Sequence, residues 1–82
     1  MANRETLQPA FGAALRRYRQ SRTASQEELA ERSGLHWTYI SELERGLKSP
    51  TLATIVALAG ALECRAWELV QAAETPEPGP DA

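Results

Sequence analysis

The stretch SQEELAERSGLHWTYISELERG, residues 25–46, constrains the fold of this 82-residue chain more than any other segment. Ser25 followed by Glu28 reads as a capping box. The hydroxyl accepts from the backbone N–H three residues on, and the carboxylate reaches back to the cap's own N–H. The pattern predicts a helix over residues 26–33, with Leu29, Ala30 and Ser33 facing inward. Gly34 supplies the left-handed residue that ends it. Only Leu35 and His36 intervene before a further helix runs to Arg45, where Gly46 stops it. Two short helices around one glycine turn make a compact unit.

The flanking segments add helices of their own. Residues 1–8 are polar and are expected to be flexible. From Pro9, which suits a first helical turn, Phe11, Ala14, Leu15 and Tyr18 fall on one face of an amphipathic helix. Arg16, Arg17 and Arg19 fall largely off that line, followed by Arg22, and they suit a solvated face or phosphate contact equally well. After Ser49-Pro50, a fourth helix over about residues 51–62 carries Leu52, Ile55, Val56, Leu58, Ala59 and Leu62. These spread over more than half its circumference, which predicts two buried faces. A fifth short helix, with Trp67, Leu69 and Val70, is expected to end near Ala73. Residues 74–82 hold three prolines and a glycine and read as a disordered acidic tail. The expected fold is all-α, one five-helix domain over residues 9–73.

The outside of the third helix is unusual. Advancing about 100° per residue from Trp37 places Tyr39, Leu43 and Ile40 on one arc and Trp37, Thr38, Ser41, Glu42 and Arg45 on the opposite one. A helix face selected for solubility alone carries mostly long charged side chains. Here hydroxyls, an indole, a carboxylate and a guanidinium share one face, groups that reach base edges and phosphates.

Net charge taken alone argues against a nucleic-acid partner, since 9 Lys+Arg stand against 11 Asp+Glu. The distribution along the chain removes that objection. Residues 9–72 hold eight basic and seven acidic side chains, while Glu74, Glu77 and Asp81 lie in the tail. The lone Cys64 excludes an intrachain disulfide and reads as a small apolar residue. No apolar run approaches a membrane span, so a cytoplasmic protein is expected. The sequence has no nucleophile-and-base arrangement, phosphate-cradling glycine loop or metal-ligand cluster, so neither an enzyme, a cofactor nor a small-molecule effector is expected.

The frame Q-x-x-L-A-x-x-x-G-x-x-x-x-x-I-x-x-L-E-x-G, carried by Gln26, Leu29, Ala30, Gly34, Ile40, Leu43, Glu44 and Gly46, resembles the phage-repressor and Cro-type helix-turn-helix proteins, the XRE family. Within it, the small controller proteins of restriction–modification systems look most similar. The resemblance implies a lambda-repressor-like DNA-binding domain whose helix from His36 to Arg45 enters the major groove. It also implies phosphate contact and bracing by Gln26, base contacts by Trp37, Thr38 and Glu42, and backbone contacts by Arg45 and the Lys48 loop. Glu44 would pair with an arginine of the first helix, for which Arg19 is the candidate. Trp37 departs from the family's polar or basic residue there and suits thymine methyls, the sugar-phosphate wall or partial burial beside Tyr39. His36 suits a phosphate contact or a plain helix start.

A reading helix spans only about four base pairs, so a homodimer on a palindromic or pseudopalindromic double-stranded DNA operator is expected. Val56, Leu62, Trp67 and Val70 are its expected interface, with Trp67 and Val70 near the two-fold axis. An antitoxin-like or adaptor module that binds another polypeptide is the alternative of a different class.

Overall fold

The computed structural model describes residues 4–75, which form five helices: α1 Arg4–Ser21, α2 Gln26–Ser33, α3 Trp37–Glu44, α4 Leu52–Ala61 and α5 Ala66–Glu74. The capping box of α2 forms as the sequence requires. Glu28 N–H donates to Ser25 Oγ at 3.0 Å, and Ser25 N–H donates to Glu28 Oε1 at 2.9 Å. Gly34, at φ 75°, closes α2 in the left-handed region. Thr51 caps α4, its hydroxyl accepting from Thr54 N–H at 3.1 Å. In α5 the Glu68 carboxylate takes the Arg65 N–H at 2.7 Å.

Packing follows the apolar faces. α1 lies against α3 and α5, α2 against α3 and α4, and α4 against α5. Leu15, Leu29, Ile40, Leu43, Leu58, Leu62 and Leu69 meet in the centre and are fully buried. Fully burying such a side chain is worth about 1.5–3 kcal/mol. Seven of them from all five helices make this one cooperative core.

Three expectations need correction. First, α1 starts at Arg4, not at Pro9, so Pro9 sits inside the helix. Leu7 extends the apolar line of Phe11 by one turn and lines an apolar cavity with Phe11, Ile55 and Val70. The proline leaves one helical hydrogen bond unmade there. Second, within the single chain α4 buries one face: Leu58 and Ala59 are inside, whereas Leu52 and Val56 are exposed, so only another molecule can cover its second apolar face. Third, Leu62 is no interface residue, because it caps α4 from within its own core at 1% exposure. Of the expected tail, Glu74 closes α5, and residues 76–82 lie outside the described residues.

Candidate nucleic-acid interface

The outward face of α3 is assembled as its periodicity requires. Ile40 and Leu43 are fully buried and Tyr39 is half-buried, so the opposite arc has to face solvent. Thr38 and Arg45 are exposed, and Ser41 and Glu42 are half-buried beside them. Trp37 is 51% exposed. Its ring stacks on His36, with centroids 6.4 Å apart and planes 22° apart, and does not sink beside Tyr39. His36 starts the helix: its Nδ1 accepts from Thr38 N–H at 3.1 Å. A ring nitrogen that accepts carries no proton, so the neutral imidazole has its N–H at Nε2.

The far end of α3 is clamped from behind. Arg19 holds Glu44 with two hydrogen bonds, Nε to Oε2 at 2.6 Å and Nη2 to Oε1 at 2.9 Å, and its Nη1 donates to Ala24 O at 2.9 Å. Gln26 adds a third bond to the same carboxylate, Nε2 to Oε1 at 3.0 Å. The Glu44 side chain is 4% exposed and the Arg19 side chain 12%. A carboxylate buried this deeply needs such partners, since desolvation alone costs several kcal/mol. The bond to Glu44, partly opposed by burial, raises the Arg19 guanidinium above its ordinary range and keeps it charged. Gln26 therefore braces α3 through Glu44.

Two backbone contacts complete the seat. Gly12 packs so tightly against the end of α3 that a Cβ there would collide with the carbonyl oxygens of Leu43 and, at 2.6 Å, Glu44. Gly46 has φ 75°, and a Cβ on it would lie 2.9 Å from Pro9 Cα. Beyond it Leu47 N–H donates to Glu42 O at 2.9 Å, and Lys48 stands exposed in the loop. Sequence reasoning missed Gly12. Its one signal is a glycine on the apolar line between Phe11 and Leu15, where helix propensity favours alanine.

The arginines in and just after α1 divide. Arg19 is architectural, and Arg22 is too, its Nε donating to Leu62 O at 2.8 Å at the end of α4. Arg16 stays exposed. Cys64 is partly buried, and burial, then the charge of Glu68, pushes its thiol above the usual range, which disfavours a reactive thiolate.

Two short helices joined by a glycine turn, the second clamped behind and open in front, define a helix-turn-helix. The helix-turn-helix family model HTH_3 matches residues 15–66, and the chain belongs to that family of DNA-binding transcriptional regulators. It is 52% identical over 48 residues to the control protein C.SmaI of Serratia marcescens, a match covering 58% of this chain and 57% of that protein. The chain thus matches little more than half of that relative's length. The crystal structure of the restriction-modification controller protein C.AhdI from Aeromonas hydrophila superposes with a TM-score of 0.73 at 41% identity, covering 74% of this chain and 92% of that one. The clp gene regulator ClgR from Corynebacterium glutamicum gives 0.80 at 33% identity, covering 89% and 95%. The chain is related to restriction–modification controller proteins. Among the described residues no helix is long and apolar enough to cross a membrane.

Proposed function

We propose that this protein regulates transcription in the cytoplasm by binding a two-fold-symmetric duplex operator as a homodimer, with α3 in the major groove and α2 across the backbone. The observation that carries this reading is the construction of α3. Its inner side is fixed by Ile40, Leu43 and the Arg19–Glu44–Gln26 clamp, while its outer side presents Trp37, Thr38, Ser41, Glu42 and Arg45. Preorganised donors and acceptors on a rigid helix are what base readout requires.

Thr38 and Glu42 read base edges in this proposal, and Ser41 supports them with a short hydroxyl. The Trp37 indole covers thymine methyls or the sugar wall. Arg45, Lys48 and the Nε2–H of His36 hold phosphates, with Gln26 contributing from the start of α2. Val56, Trp67 and Val70, all exposed on α4 and α5, supply the surface that joins two copies. Two reading helices about 34 Å apart then meet successive major grooves.

Selection of bound fragments from a random duplex library tests the whole reading. The expected result is an enriched sequence with two inverted half-sites, bound with steep salt dependence. If no duplex is enriched and binding ignores salt, the DNA-reading role fails. The adaptor alternative then takes its place.

A further inference from the structure

We propose that Trp37 reads the C5-methyl group of a pyrimidine. The protein then binds duplex DNA bearing thymine or 5-methylcytosine at that point more tightly than the same duplex without the methyl. This rests on the DNA-reading role above and assigns Trp37 to one partner. On the outer arc of α3, Trp37 is the one large apolar side chain, and about half of it stands in solvent. It is the first residue of the helix, after the His36 cap. The N-terminal residues of a reading helix are the ones that meet base edges. Ser41, one turn on and about 40° round, is too short to cover the indole.

The ring is held ready for contact. His36 Nδ1 accepts from Thr38 N–H at 3.1 Å, which orients the imidazole, and the indole stacks on that imidazole with planes 22° apart. Two rings from consecutive residues thus form one aromatic slab at the start of α3, each restraining the other. A surface ordered in advance loses little side-chain entropy when a partner meets it.

The chemistry of the major groove decides what such a slab can distinguish. An indole has one N–H donor and no acceptor. Adenine, guanine and thymine all offer acceptors in this groove, so that donor separates bases poorly. The apolar group on a base edge there is the C5-methyl of thymine. 5-Methylcytosine carries its methyl on the same ring carbon and points it into the same groove. Burying one methyl against the slab is worth about fourfold in affinity. A phosphate wall calls instead for positive charge, which Arg45 and Lys48 supply and Trp37 lacks.

Competition binding of the full chain to its selected operator tests this. At each thymine of the half-site, thymine is exchanged for uracil, which keeps the pairing and loses the methyl. The same position is then filled with cytosine or 5-methylcytosine opposite guanine. At one such position uracil is expected to weaken binding about fourfold, and 5-methylcytosine to bind about fourfold more tightly than cytosine. Trp37→Gln is expected to bring both ratios to about one, whereas Trp37→Phe, which keeps a ring, retains about twofold or more. Helix content by circular dichroism should be unchanged in both variants, since the indole lies outside the core. The proposal is overturned if the half-site holds no thymine, if uracil matches thymine at every position, if 5-methylcytosine binds no better than cytosine, or if Trp37→Gln keeps the preference. An operator that is enriched and salt-dependent yet indifferent to the methyl leaves the DNA-reading role standing and sinks this proposal alone. Failure to enrich any duplex removes both.

Discussion

Arg19, near the end of α1, grips Glu44, at the end of α3, through two hydrogen bonds of 2.6 and 2.9 Å. The pair ties α3 to α1, the longest helix of the domain. Arg19→Ala leaves the Glu44 carboxylate buried with Gln26 as its remaining side-chain donor. Removing one partner of such a pair typically costs about 3–5 kcal/mol; retention of Gln26 places the expected loss toward the lower end. Urea unfolding followed by circular dichroism reads it. A midpoint equal to that of the parent chain would show that the clamp contributes nothing to stability.

Arg45→Ala and Lys48→Ala are expected to weaken binding to every duplex by similar factors. Each lost phosphate contact should also lower the slope of log affinity against log salt by about one. Both residues are exposed at the close of α3 and in the following loop. Isotherms at four salt concentrations measure the slope. Unchanged slopes for both variants would remove them from the interface.

Thr38→Ala and Glu42→Ala are expected to change which bases are preferred more than how tightly DNA is held. Glu42 suits a cytosine amino group, a contact worth about 1–3 kcal/mol of discrimination. Repeating the duplex selection with each variant supplies the comparison. Recovery of the parent consensus by both would end their assignment as base readers.

Stability should also fall on the acid side through Glu28. The Ser25 backbone N–H, and secondarily its hydroxyl, hold this carboxyl below its ordinary range. A folded-state value below the unfolded one means the contribution is complete above the unfolded carboxyl range and disappears as pH falls through the folded value. Glu28→Gln keeps the shape of the cap without the titration. Its unfolding midpoint is therefore expected to vary less between neutral pH and the acid end than that of the parent chain. Parallel profiles for the two would rule Glu28 out as a source of acid sensitivity.

Ser25, Gly34 and Gly46 were legible in the sequence because each acts locally, by a hydrogen bond to a near neighbour or by its own φ. The inner and outer arcs of α3 were legible for a similar reason, since Ile40 and Leu43 fix one side and geometry fixes the other. Thr23 and Glu63 were not. Both turn the chain with positive φ, 53° and 56°, in residue types that rarely do so. Leu62 was misplaced because periodicity tells apolar from polar and does not tell an inner apolar face from an outer one. The start of α1 was misplaced because a rule about proline was set against a tertiary contact of Leu7.

Gly12 is buried behind α3, on the side opposite Trp37, Thr38 and Arg45, yet what it seats is the backbone that aims the outer face proposed to read DNA. A methyl group there would have to push the carbonyls of Leu43 and Glu44 outward, tilting every contacting side chain without touching one of them. Mutational scans scored only by operator occupancy would therefore return position 12 among the contact residues. A footprint of this protein drawn from loss of binding alone would be larger than the surface that DNA can touch.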